Sequence, residues 1–358
     1  MRSDLQGIRC MLMRGGTSKG AFFLAEDLPA EHSERDAILL RVMGSPDPRQ
    51  IDGIGGAHPL TTKVALVSRS DRHDIDLEYL FLQVAVDRAQ VTDKQNCGNM
   101  LAAVGPFAAE RGLITVANGG NSVRILMRNT GGVALTTFSV ENGQPVYVGD
   151  TEISGVPGSA AEIRIEFEDI AGSNSGALLP TGNVVDEVGG VEATLIDNGM
   201  PVVVLRAVDV GITGYESCEA LEDNSDLKKA LEDIRTAAGP MMNLGDVAGL
   251  TVPKLTLVSP PRGEGALSTR TFIPHRCHQA IGVLGAVSVA TACLLPGSPA
   301  GDMARLVPGT DIVRLEHPTG TFDAVVRLDS NGELRVRSAG IVRTARKLMD
   351  GSVFPRSY

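Results

Sequence analysis

Three short stretches carry side chains whose types and spacing suit acid–base chemistry at an anionic substrate. In Gln95-Asn96-Cys97-Gly98-Asn99 a thiol stands between amides and a glycine, and a mostly apolar run from Met100 to Ala109, stopped by Gly112, follows at once. This pattern predicts a loop delivering Cys97 to the first turn of a buried helix. A helix N-terminus carries partial positive charge and unpaired N–H groups, which favour thiolate over thiol and attract a carboxylate. Gly98 lets a ligand approach the backbone, and Asn96 and Asn99 can cap the helix or touch that ligand. The plain alternative is a small buried hydrophobe, as most free cysteines are.

The second stretch is Thr62-Lys63-Val64-Ala65, a lysine at the head of an apolar strand that runs to Val67. A desolvated lysine loses its proton more easily and can act as a base near neutral pH; a solvated strand-end lysine is the alternative. The third is Arg14-Gly15-Gly16-Thr17-Ser18-Lys19-Gly20, between the apolar segments Ile8–Met13 and Ala21–Leu24. Such a loop can wrap an oxyanion with backbone N–H groups, or simply be a glycine-rich hairpin turn. It lacks Walker spacing, and Asp52-Gly53-Ile54-Gly55-Gly56 has neither the spacing nor the strand–helix context of a dinucleotide site.

Several elements must position these residues. Glu31 to Met43 reads as an amphipathic helix closed by Gly44, and Leu77–Val86, Val123–Met127, Val133–Val140, Val146–Val148 and Ala161–Phe167 read as strands. Gly172 to Asn183 is the best linker candidate. Beyond it come strands at Val191–Ile196, Val202–Leu205 and Pro253–Val258, with an exposed amphipathic helix over Ala220–Ala238. The loop Ile273-Pro274-His275-Arg276-Cys277-His278 then feeds Ala280–Leu295, sixteen residues without a charge. That run is too short for a membrane span, which takes about 20 apolar residues, and reads as a helix buried on all sides. Ile341 to Leu348, with Arg343, Arg346 and Lys347, reads as a last helix with a solvated basic face. Strands, one enclosed helix, then strands again in each half predict an α+β chain of two similar domains, each a sheet wrapped around a central helix. The boundary is placed at 1–182 and 183–358, with the final residues returning to the first domain.

Composition narrows the classes. Thirty-three Lys and Arg against 43 Asp and Glu give a net charge of −10, and aromatics make up 4% with no Trp. This argues against a nucleic-acid or anionic-membrane partner and against aromatic stacking platforms, and any cationic pocket must be local. Five widely spaced cysteines without a Cys-x-x-Cys pair support neither a disulfide framework nor a structural zinc site. Met1-Arg2-Ser3-Asp4-Leu5 opens no signal peptide, so the expected location is cytoplasmic.

Met13-Arg14-Gly15-Gly16-Thr17-Ser18-Lys19-Gly20, Asp52–Gly56, Thr62-Lys63-Val64 and Gln95–Asn99 together resemble the PrpF family of isomerases, within the diaminopimelate-epimerase-like fold. Leu179-Pro180-Thr181-Gly182-Asn183, Asp197-Asn198-Gly199-Met200-Pro201 and Ile273–His278 extend the resemblance over nearly the whole chain, and its branch acting on 4-oxalomesaconate is the nearest. The resemblance implies two domains, no cofactor, no metal, and proton transfer beside carboxylates by Lys63 and Cys97. It implies a polycarboxylate substrate held by Arg14, Gly15, Gly16, Thr17, Ser18, Thr62, Asn96, Gly98, Asn99, Met200, His275 and Arg276, and leaves a homodimer open. The reaction it implies is a 1,3-allylic proton shift in the breakdown of gallate or lignin-derived protocatechuate. Isomerisation of 2-methylaconitate or methylitaconate is the alternative within the family. A two-cysteine racemase would need a second thiol at the other helix start, where Cys277 lies early. A metal-binding module built on His58, His275, Cys277 and His278, and a binding protein without turnover, are the rivals from other classes.

Overall fold

The structure, a computed structural model, describes residues 7–94, 96–328 and 336–356, so Gln95 of the Cys97 pentapeptide lies outside it. The chain divides into two compact units, Met1–Glu166 with Val342–Tyr358, and Phe167–Ile341.

In the first unit, β1 (Ile8–Gly15) and β2 (Ser18–Leu24) form an antiparallel hairpin whose turn is Gly16-Thr17. Helix α1 (His32–Met43) follows; the Glu31 carboxylate caps it by accepting from the N–H groups of Ser33 and Glu34, and Gly44 ends it at φ 79°. β3 (Lys63–Arg69) runs parallel to β2, β4 (Leu77–Val84) antiparallel to β3, and β5 (Val91–Thr92) pairs with β4. After two short helices, α2 (Gly98–Leu101) and α3 (Val104–Glu110), β6 (Gly119–Met127) lies parallel to β4 and β7 (Val133–Glu141) antiparallel to β6. Minor strands β8 (Gln144–Pro145), β9 (Thr151–Glu152) and β10 (Ser159–Ala160) precede β11 (Glu162–Phe167).

In the second unit, β12 (Asp186–Val188), β13 (Val191–Asp197) and β14 (Pro201–Arg206) are antiparallel neighbours. Helices α4 (Cys218–Asp223) and α5 (Ser225–Met241) lead to β15 (Lys254–Ser259), parallel to β14, and β16 (Leu267–Phe272), antiparallel to β15. After α6 (Val283–Cys293), β17 (Ile312–His317) pairs parallel with β16 and antiparallel with β18 (Gly320–Leu328).

The two units repeat one plan. In each, six main strands pair successively antiparallel, parallel, antiparallel, parallel, antiparallel. The first parallel crossover carries an outer helix, α1 or α4–α5, and the second carries the enclosed helix, α2–α3 or α6. The side-chain alternation of a strand explains the layering. Ala21, Phe23, Val64 and Leu66 face α1, while Phe22 turns inward onto Phe107 of α3 at 5.6 Å between ring centres. α6 is buried from Gly285 to Cys293, as its uncharged sequence requires.

Two expectations are corrected. Ile341–Leu348 is not a helix but part of β19 (Val336–Val353), which pairs antiparallel with β18 and then, from Ala345 to Val353, with β1. Its β-branched Ile341, Val342 and Thr344 suit a pleated strand, and pairing with the distant N-terminus overrides the helical spacing of the basic residues. The run after Cys97 is two short helices broken at Ala102-Ala103 rather than one. Pro106 cannot donate to a carbonyl one turn earlier, so a continuous helix through it would lose a hydrogen bond.

Candidate active site

Lys63 begins β3 with its side chain on the face toward α2, and it is 7% exposed. Its Nζ donates to Gln83 Oε1 at 2.9 Å and lies 4.8 Å from the centre of the Phe81 ring. Gln83 is held by its other end: Nε2 donates to the carbonyls of Thr62 at 3.1 Å and Pro59 at 3.2 Å. Among the described residues no carboxylate pairs with Lys63. The Lys63 amine therefore rests on a neutral acceptor and an aromatic face, which hold it in place.

Cys97 is the N-cap of α2 and the one cysteine of five that is not buried. Its carbonyl accepts from the hydroxyl of Tyr79 at 3.3 Å. Tyr79, Phe81 and Gln83 alternate along one face of β4, so Gln83, which holds Lys63, and Tyr79, which holds the Cys97 carbonyl, stand on one strand face with Phe81 between them. Three of the other thiols are disfavoured as thiolates by burial. Burial pushes Cys10 and Cys293 up to about 12. Cys277 is raised too, first by burial and then by the neighbouring Cys218 thiol.

Asn99, in the first turn of α2, is clamped from both ends. Its Nδ2 donates to Thr17 Oγ1 at 3.0 Å, and its Oδ1 accepts from Arg343 Nε at 3.1 Å. The glycines of the hairpin make room for this contact. A Cβ on Gly15 would run into the Asn99 carbonyl oxygen, one on Gly16 into the Asn99 amide, and one on Gly20 into the Lys63 carbonyl oxygen and Met100. The hairpin turn thus receives the start of α2, and one of its N–H groups, that of Gly16, is spent on the Thr344 carbonyl. Ser18 is 2% exposed and its hydroxyl has no partner among the described residues. On β2 it is one alternation from Gly20, which lies beside Lys63 in register, and an orphaned buried hydroxyl there is a ready donor for a ligand oxygen.

The remaining sequence candidates lie at several places in the fold. Thr62 is buried, donating to the His58 carbonyl and to Gln50. Asn96 turns its amide toward Met127 and Thr130, and Gly98 is the first residue of α2. Arg14 points away from α2, since Gly15 next to it points in; its guanidinium donates to the carbonyls of Gly16 and Thr344. In the second unit, the Met200 carbonyl accepts from Ser288 Oγ of α6 at 2.7 Å. His275 is 3.7 Å from Glu232 of α5 and Arg276 is 3.5 Å from Glu222 of α4, both on the side of the outer helices. Among the described residues no three His, Cys, Asp or Glu side chains group as metal ligands, and no helix is long and apolar enough to cross a membrane.

Sequence reasoning missed two contacts. Gln83 is a polar residue in phase with apolar Leu77, Tyr79 and Phe81, a signal the alternation of β4 carried. Arg343, assigned to a solvated helix face, is 7% exposed and braces Asn99.

A strand-wrapped helix repeated in two units, with a buried lysine at the head of β3 and a helix-capping cysteine at α2 in the first, defines a class of α+β fold. The chain matches the model of the family described as PrpF protein over residues 5–356, and it belongs to that family. It is 60% identical over 352 residues to the (4E)-oxalomesaconate Delta-isomerase of Novosphingobium sp. (strain KA1), covering 98% of each chain. It is 57% identical to the 4-oxalomesaconate tautomerase of Pseudomonas putida, covering 97% of this chain and 95% of that one. The crystal structure of a methylitaconate-delta-isomerase superposes with a TM-score of 0.89 at 33% identity, covering 98% of this chain and 96% of the other. The protein is an isomerase.

Proposed function

We propose that the protein moves a double bond of 4-oxalomesaconate by one position through a 1,3-allylic proton shift, without a cofactor. This is a cytoplasmic step in the catabolism of gallate or protocatechuate. Identity of 57% and 60% to two relatives named for this compound supports the substrate. The observation that carries the mechanism is the setting of Lys63, buried and held by an amide and an aromatic ring instead of a carboxylate.

In this reading, neutral Lys63 takes a proton from an allylic carbon made acidic by the adjacent carbonyl and carboxylates. The electron pair spreads over the conjugated system as a dienolate, and a proton delivered to the far carbon completes the shift with no net change in composition. Lys63 returns that proton if both carbons lie on its side; if they do not, Cys97 gives its own thiol proton to the far carbon, and exchange with solvent restores Lys63 and Cys97 before the next turnover. Ser18 Oγ and the N–H groups at the start of α2 offer donors to the charge that develops on oxygen. His275 and Arg276, already facing acidic partners, are left out of this role.

Steady-state assays with 4-oxalomesaconate, 2-methylaconitate and methylitaconate test the substrate. The expected result is a kcat/KM for 4-oxalomesaconate at least about a hundredfold above the others, a gap of about 3 kcal/mol in transition-state stabilisation. A preference for methylitaconate, the compound in the name of the structural relative, overturns it.

A further inference from the structure

The face of the first unit's sheet turned away from α2 carries a second concentration of charge that the isomerisation does not use. Arg14 on β1 is the direct cross-strand partner of Lys19 on β2 and of Arg346 on β19. Three cations therefore stand in a row across three adjacent strands. Neighbours on one sheet face lie about 5 Å apart, a spacing at which like charges repel. Burial and the Arg346 charge together lower the affinity of Arg14 for its proton.

Among the described residues no carboxylate pairs with any of the three. Arg14 donates only to the carbonyls of Gly16 and Thr344 and to the Thr344 hydroxyl. The nearby Glu110 is already taken by the Tyr147 hydroxyl and by Lys347. In a protein of net charge −10, leaving three adjacent cations without a counter-charge is a departure. The row lines a cavity of about 450 Å³, within the range of small-molecule sites. The rest of the lining is largely apolar, with Tyr147, Val148, Val156, Pro157 and Leu348, and no acidic side chain lines the cavity.

We propose that this groove binds a small organic polycarboxylate, its carboxylates on Arg14, Lys19 and Arg346 and its carbon skeleton against the apolar lining. The site is separate from the Lys63 face, because Arg14 and Lys19 alternate with Gly15 and Gly20, the residues that pack against α2. Carboxylates pair bidentately with arginine, and three cations suit an anion with two or three such groups. The site stands whether or not 4-oxalomesaconate is the substrate.

Calorimetric titration of the whole protein with tricarballylate, a saturated tricarboxylate with no double bond to move, tests this, with inorganic phosphate as the parallel probe. The expected isotherm contains a component that Arg346→Glu weakens by about tenfold or more and that Lys19→Gln weakens less. Arg346 is exposed, so its replacement leaves the fold and the kcat for isomerisation unchanged, and this is checked on the same samples. An isotherm unaltered by Arg346→Glu, no binding at all, or equal binding of phosphate overturns the proposal.

Discussion

At the scale of single residues, the proposed chemistry turns on what surrounds Lys63 and the five thiols. Gln83 presents a neutral oxygen to Nζ and is locked in that orientation by two backbone carbonyls. Gln83→Glu puts a negative charge in the same place and favours the ammonium form. The expected outcome is a rise of kcat/KM with pH displaced upward by about one unit or more, with KM little changed; Gln83→Met removes the tether without the displacement. Matching pH profiles for Gln83→Glu and the wild type count against Lys63 as the base. Cys277 is 6% exposed and lies in the core that α4 and α5 cover. Cys277→Ser is expected to leave turnover within about twofold, because burial disfavours its thiolate. A loss as deep as that of Cys97→Ala points instead to a two-thiol mechanism. The placement of Lys63 at the head of β3 and of Cys97 at the start of α2 was legible in the sequence because each stands at the edge of an apolar run. Arg343 was not, since a basic run reads as a solvated surface until the strand beside it is known.

At the scale of elements, the placement of α2 depends on glycines that leave space rather than on glycines that bend. Gly20→Ala drives a methyl into backbone and Met100 alike. The expected cost is about 1–3 kcal/mol, read as a fall in melting temperature, together with reduced turnover as the start of α2 shifts. Unchanged stability and rate refute this role. In the second unit, the Glu316 carboxylate gathers the N–H groups of Arg262, Gly263 and Gly265 and the Ser268 hydroxyl. Partial burial raises its affinity for the proton, but these donors outweigh that and hold the carboxyl below its usual range. Glu316→Ala is expected to cost about 2 kcal/mol at neutral pH. The contribution is complete above the unfolded value of about 4.3 and fades as pH falls through the lower folded value, so denaturation curves of the two proteins converge in acid. A difference that grows in acid contradicts this sign. The enclosed helices were legible from uncharged runs between polar loops. The last strand was not, because its partner on β1 is more than three hundred residues away in sequence.

At the scale of the whole molecule, one strand plan occurs twice, yet the enclosed helices begin differently. α2 opens with Cys97 and the clamped Asn99, whereas α6 opens on Gly282 and Val283 with no thiol at its start. The duplication accounts for the α+β fold, and this asymmetry places both members of the proposed proton-handling pair, Lys63 and Cys97, in the first unit. The most direct test follows 4-oxalomesaconate by proton NMR in deuterium oxide with the wild type, Lys63→Met and Cys97→Ala. The account predicts migration of the double bond with deuterium at the newly protonated carbon in the wild type, and neither migration nor exchange with Lys63→Met. Migration or exchange at the wild-type rate in Lys63→Met would contradict it.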